Sequence, residues 1–317
     1  MTALVAASPP SASLLAACRE LGPLELWAPL AAPAWLARVP GALGRYASRR
    51  ALAGDITAPA VFACEAALRA WARDRTDRRY HSELVLRLAI DAWAAREVRR
   101  REPAVVVAST LAARATFAAA RAIGATCVLV IDLPLLRALH RDLDRAAAVW
   151  PERRFLQRFR APAWAIARQE AERVLADRIL VRGAYARSLC LADGLSADRI
   201  VTLATPANPV VAPPRTGRVR LAGLAAARTG IDIALAVARR LGLELAVRTG
   251  EGTEPANLAT LPGVTTAAGP VDAILCPAIC ETYAPELATT GIPVIASTMA
   301  GGHLDPYDAA AFVAALG

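Results

Sequence analysis

Lysine is absent from the 317 residues, and all 37 basic side chains are arginine. Coding bias in a GC-rich genome accounts for this, and it fits the excess of alanine. The chemical consequence stands regardless: phosphate must be met by Arg, by backbone N–H groups or by hydroxyls. Aromatic residues make up only 5% of the chain and no nucleic-acid-binding motif occurs, so a basic surface interleaved with stacking rings is not expected. The chain is 56% hydrophobic, yet alanine dominates and no apolar run reaches the length of a membrane span. Ser8-Pro9-Pro10 and Cys18-Arg19-Glu20 interrupt the first apolar residues, so Thr2–Ala6 reads as a buried strand rather than part of a secretory leader. The six cysteines (Cys18, Cys64, Cys127, Cys190, Cys276, Cys280) are scattered in apolar contexts. Cys276 and Cys280 have no His or Cys partners at metal-ligand spacing, so buried free thiols in a reducing cytoplasm are expected, with no metal site. There is no Ser/His/Asp triad, no Walker loop and no dinucleotide glycine motif; Gly217 to Gly223 lacks the spacing. Asp142-Leu-Asp144 falls inside a predicted helix, where it is expected to face solvent.

The charge is uneven. Residues 206–317 hold 7 Arg against 9 acidic residues, whereas residues 1–205 hold 30 Arg against 19. The basic first part suits an anionic membrane or a phosphate-bearing lipid. Solvated helix faces are the plainer reading.

Hydrophobic patterning alternates strands with helices, which implies an α/β fold built on parallel sheets. Strands are expected at Thr2–Ala6, Leu24–Trp27, Ala104–Ala108, Cys127–Ile131 and Arg178–Val181. Helices are expected at Ser11–Leu21, Ser82–Arg101, Ser109–Ile123 (with Ser109 or Thr110 as N-cap) and Ala165–Ala176. Residues 30–80 are rich in Pro and Arg. Pro206, Pro209, Pro213 and Pro214 mark a linker over Thr205–Gly217, dividing the chain into domains 1–205 and 206–317. The second domain restarts with a strand at Arg218–Gly223, a helix at Thr229–Leu241 and a strand at Leu243–Val247. A short strand at Val264–Ala267 and a last helix at Ala309–Leu316 follow.

One stretch organises the second domain. Asp272–Cys276 is an apolar strand stopped by Pro277; Pro285 suits the first turn of a short helix closed by Gly291; Pro293-Val-Ile-Ala begins the next strand. Glu281 therefore sits in the loop at the carboxyl end of a strand, with Glu286 on the helix behind it. In open α/β sheets that crevice takes ligands.

This stretch resembles the donor-site signature of retaining glycosyltransferases of the GT-B fold, in particular glycosyltransferase family 4. The Pro277-to-Glu281 step, the Glu286-to-Gly291 step and the closing Gly291-x-Pro293 match the family pattern. Four residues separate the two glutamates where the family usually has seven. Glu172, Ala176-Asp177, the apolar strand after it, Tyr185, Gly194 and Ile200-Val201 resemble the last βαβ unit of the family's first domain. The connection after Ser297 is shorter than the family's.

The resemblance implies two doubly wound Rossmann-like domains facing each other, as in GT-B enzymes. It implies transfer of a sugar from a nucleotide-diphosphate sugar to a saccharide or lipid-linked acceptor of cell-envelope or exopolysaccharide type. No cofactor or metal is implied beyond the donor. Glu281 would address the donor sugar and Glu286 the ribose, with the backbone of Thr282, Tyr283 and Ala284 near the diphosphate. Gly223 keeps the glycine of the family's Gly-Arg pair; Leu224 stands at the Arg position and Thr229 at the usual Lys, so Arg228 is the candidate to meet the diphosphate. Asp132 would either hydrogen-bond a sugar hydroxyl or cap the next helix, and Asp177 would serve a turn. The alternative is a non-catalytic nucleotide- or sugar-binding scaffold of the same descent. Either would be cytoplasmic, with possible peripheral contact at an anionic inner membrane and no nucleic-acid partner.

Overall fold

The computed structural model describes residues 1–6, 10, 12–27, 38, 40–41, 76–132, 134–149, 151, 156–157, 159–203, 215–225, 227–249, 258–279, 291–300 and 302–316. Residues 205–214 of the expected linker, most of 30–80, Cys64 and Cys280 fall outside these residues.

The described strands form two sheets, each wholly parallel. The first has six strands in the order β2-β1-β3-β4-β5-β6: β1 (Thr2–Val5), β2 (Leu24–Trp27), β3 (Val105–Ser109), β4 (Thr126–Val130), β5 (Arg178–Val181) and β6 (Ile200–Thr202). The second has five, in the order β11-β10-β7-β8-β9: β7 (Arg218–Leu224), β8 (Glu244–Arg248), β9 (Val264–Thr265), β10 (Ala273–Cys276) and β11 (Val294–Ala296). Both are doubly wound. In the first the chain runs from β1 out to β2, then returns to the other side of β1 at β3. In the second it runs from β7 through β8 to β9, then returns to the other side of β7 at β10. Each order therefore contains one switch point, between β1 and β3 and between β7 and β10.

The strands form where the sequence supplies short apolar runs buried on both faces, as parallel sheets require. All four residues of β1 and all four of β10 are buried. Eight helices lie among the described residues: α1 (Ala12–Glu20), α2 (Thr76–Arg101), α3 (Arg114–Ala122), α4 (Leu136–Val149), α5 (Ala163–Leu175), α6 (Ala184–Ala192), α7 (Ile231–Leu241) and α8 (Ala309–Leu316). In α7, Ile231, Ala234, Leu235 and Ala238 recur at helical spacing and are all buried. They pack with Val219, Leu221, Leu245, Leu275 and Phe312 to make the core on one face of the second sheet. The first core gathers Leu4, Leu14, Cys18, Val107, Val128, Val130 and Leu180.

The chain divides into two compact units. One comprises Met1–Leu136, Ala161–Val181 and Cys190–Leu203; the other comprises Arg137–Arg160, Arg182–Leu189 and Ala204–Gly317. Most of α4 and most of α6 thus belong with the second sheet.

Several local expectations are corrected. Helix α3 starts at Arg114 and its N-cap is Ala113, because Ser109 ends β3 and Leu111 takes a left-handed φ of 67° that breaks the helical path. The strand expected at Val264–Ala267 is two residues long. A single 3₁₀ turn, Ala227–Thr229, precedes α7. Asp142 does not face solvent: it is buried, with the Tyr185 hydroxyl 3.4 Å from both carboxylate oxygens. Asp144 is exposed and paired with Arg160. Cys18, Cys127, Cys190 and Cys276 are buried thiols outside any disulfide. Burial pushes Cys18 and Cys127 up to about 11, so neither is a ready thiolate. Among the described residues no helix is long and apolar enough to cross a membrane.

Candidate functional site

Ligands of doubly wound sheets bind outside the carboxyl ends of the strands at the switch point. In the first sheet, the β3 side of that point is filled by the chain's own side chains. The Glu172 carboxylate, from α5, accepts the N–H groups of Leu111 (2.7 Å), Ala113 (3.1 Å) and Arg114 (3.1 Å). Asp91, from α2, accepts those of Ala115 and Thr116, both at 2.8 Å. Arg168 pairs with Asp91 and lies 3.4 Å from Glu172. The first amides of α3, which would otherwise attract an anion, are thus occupied by two buried carboxylates. Burial pushes Glu172 up to about 7 against the opposing pull of the Ala113 and Leu111 amides and Arg168, and Asp91 adds to the rise.

Asp132 belongs to the same buried network. It follows β4, its side chain is 5% exposed, and Arg87 donates to both its oxygens, at 3.2 and 3.1 Å. Arg87 also donates to the Thr110 carbonyl at 2.7 Å. Burial acts to lower the Arg87 pKa, but Asp132, Glu83 and Glu172 outweigh it and hold it above the ordinary value. The N-terminus of α4 is met by Gln169, whose side-chain oxygen accepts the Leu136 N–H at 2.8 Å. Asp177 accepts the Cys127 N–H at 2.7 Å, tying the start of β5 to that of β4.

The switch point of the second sheet is built differently. Gly223 lies near the carboxyl end of β7, where the pairing with β8 shifts register between Arg220 and Leu224. Its φ is +76°, a conformation that side-chain-bearing residues adopt with strain. The chain then makes the Ala227–Thr229 turn and enters α7 through Gly230, which has a φ of +79° and caps the helix without a side-chain hydrogen bond. A methyl group on Gly230 would collide with the Pro277 carbonyl. The loops after β7 and β10 are therefore locked together. The Ile279 N–H donates to the Arg228 carbonyl at 3.1 Å. On the far side, Ser297 donates its hydroxyl to the Ala278 carbonyl at 2.8 Å and its N–H to the Cys276 carbonyl at 3.0 Å. Pro277, Ala278 and Ile279 thus form a fixed floor between the turn before α7 and the end of β11.

Arg228 stands exposed beside that floor, its guanidinium carbon 5.5 Å from the centroid of the Phe159 ring. Both residues lie in the same compact unit. Of the residues singled out in the sequence, the structure brings Gly223 and Arg228 to one switch point and puts Asp132 in the buried network of the other unit. Glu281, Thr282, Tyr283, Ala284 and Glu286 lie outside the described residues, directly after the Pro277–Ile279 floor. Sequence reasoning missed Phe159, whose signal was an aromatic set between Arg158 and Arg160 in an aromatic-poor chain. It also missed Arg87 and Asp91, which look like ordinary residues of an amphipathic helix.

No protein-family model matches the chain, and no curated protein matches it. Among solved structures, a glycosyltransferase from Rickettsia africae ESF-5 aligns over 99% of this chain and 86% of its own, with 9% identity and a TM-score of 0.48. TcCGT1 in complex with UDP aligns over 93% and 80%, with 13% identity and a TM-score of 0.48. UDP-GlcNAc 2-epimerase from Neisseria meningitidis, bound to UDP-GlcNAc, aligns over 100% and 99%, with 10% identity and a TM-score of 0.41. The fold assignment rests on the two parallel sheets and their winding, not on these likenesses.

Proposed function

We propose that the chain is a metal-independent, retaining glycosyltransferase that uses a nucleotide-diphosphate sugar as donor and a cell-envelope or exopolysaccharide-type acceptor. The observation that supports this best is the second switch point: Arg228 stands exposed there, beside a helix entered without a side-chain cap. Transfer breaks the bond from the sugar's anomeric carbon to the diphosphate and forms one to an acceptor hydroxyl, which loses its proton. Negative charge grows on the leaving diphosphate and positive charge on the ring, so the site must supply a cation and amides at one end and a carboxylate at the other. Arg228 and the first amides of α7 suit the diphosphate. Glu281 is assigned to the donor sugar and Glu286 to the ribose, with the Thr282–Ala284 backbone beside the phosphates. These five assignments rest on the sequence pattern that follows Pro277. The reading includes no cofactor and places the protein in the cytoplasm, with its basic first part against an anionic membrane.

A non-catalytic nucleotide-binding protein is the second reading, favoured by Leu224 and Thr229 at the positions where the resembled family carries Arg and Lys. A thermal-shift screen with UDP, GDP and their sugars, followed by hydrolysis and transfer assays, separates the two. Stabilisation by a nucleoside diphosphate together with sugar release supports the enzyme. Stabilisation without turnover of any donor selects the binding protein, and no stabilisation by any nucleotide overturns both.

A further inference from the structure

We propose that Phe159 is a positioning residue that holds the Arg228 guanidinium ready for the diphosphate of a nucleoside-diphosphate ligand. The inference rests on the donor-site reading above and adds to it a residue that the sequence pattern does not supply. Three observations carry it. The first is how arginines are held in the same compact unit. Arg145 pairs with Asp305 and also lies 4.8 Å from the Tyr307 ring centroid, Arg160 pairs with Asp144 and Arg218 with Glu244. Among the described residues no carboxylate pairs with Arg228; its side-chain partner is the Phe159 ring at 5.5 Å.

The second is what such a contact leaves available. A carboxylate partner takes up guanidinium N–H groups and cancels the charge. A ring attracts the cation through its electron-rich face and accepts no conventional N–H hydrogen bond. Among the described residues nothing takes up the donors of Arg228 or neutralises its charge, which leaves them to phosphate oxygens. An exposed arginine with no partner would sample many rotamers, and ordering it on binding would weaken affinity. The ring reduces that ordering cost.

The third is the backbone. The Arg228 carbonyl accepts the Ile279 N–H at 3.1 Å, and two residues on Gly230 sits hard against Pro277. Both ends of the side chain are therefore constrained: the Cα by the β10 loop, the guanidinium by the ring. With the ligand taken as a nucleoside diphosphate, Arg228 is assigned its second phosphate, so its contact distinguishes diphosphate from monophosphate.

The test is calorimetric titration of the full chain with UDP, UMP, GDP and GMP. The proteins are wild type, Phe159→Leu, Phe159→Trp, Arg228→Ala and the Arg228→Ala/Phe159→Leu double variant. Phe159→Leu is expected to weaken the preferred diphosphate about two- to fivefold, the range of an exposed cation–ring contact, and to leave the monophosphate unchanged. Phe159→Trp keeps a ring and is expected to retain wild-type affinity; it carries the test if the Leu variant does not fold. The double variant is expected to bind no more weakly than Arg228→Ala. Wild-type diphosphate binding with equal losses for mono- and diphosphate in Phe159→Leu, or with no loss, overturns the role of Phe159 alone. So does a Trp variant that binds as weakly as Arg228→Ala. A wild-type chain that binds neither diphosphate overturns the donor-site reading and this inference with it.

Discussion

Two glycines at the carboxyl edge of the second sheet both have left-handed backbones, but only one of them is also crowded. Gly223 has no atom within 4 Å of where a Cβ would stand, whereas at Gly230 that position is occupied by the Pro277 carbonyl. Gly223→Ala should therefore cost about 1 kcal/mol, the penalty of the left-handed conformation. Gly230→Ala adds a steric clash with backbone and should cost about 2–4 kcal/mol. Urea unfolding of the two variants checks the ranking; equal losses would mean the β7 and β10 loops are not locked together. At the glutamates, Glu286→Ala is expected to weaken nucleotide binding by roughly 1–3 kcal/mol, the scale of a charged hydrogen bond. Glu281→Gln should lower turnover far more than nucleotide affinity, because it leaves the nucleotide end intact. Titration and initial-rate assays on the same preparations read both.

Helix α3 shows how an element can be stabilised by residues remote in sequence. Its first amides are taken by Glu172 and Asp91, carried on α5 and α2 and joined by Arg168. Burial raises Glu172 from 4.5 to about 7. Between those values the folded state binds more protons than the unfolded chain. Stability from this group is therefore fully present below the unfolded value and is lost as pH rises through the folded one. The urea midpoint should fall between about pH 5 and pH 7.5, and Glu172→Gln should flatten that dependence. A wild-type midpoint that rises over this window would show that the carboxylate is held ionised by its three amides. Helix α7 offers the contrast: it is entered through Gly230, which has no side chain to cap it, and its first turn carries its own Asp232.

Across the whole molecule the excess positive charge lies in residues 1–205. Association with vesicles containing anionic lipid is expected at low ionic strength and should fade as salt shortens the screening length. Co-sedimentation across a salt series measures it, and binding insensitive to salt would count against a charge-driven contact. The compact units do not follow chain order, since residues 137–160 and 182–189 belong with the second sheet. That interleaving puts Phe159 in the same unit as Arg228, although three strands, two helices and a long Pro-rich stretch separate them in sequence.

The alternation of short apolar runs with amphipathic segments by itself determined the α/β class, the parallel strands and the position of β10, Pro277 and β11, because periodicity and chain breaks act over a few residues. Gly223 was singled out only through the family resemblance, because nothing in the local periodicity marks it. Which carboxylate caps α3, that Arg87 engages Asp132 from 45 residues away, and that a ring from the α4–α5 connection holds Arg228 were not legible. Each depends on which surfaces meet once two sheets have wound and their helices have packed. A helix can present Asp91 or Arg87 to solvent or to a neighbour with the same local pattern, and only tertiary packing decides which groups lose water and must find a partner.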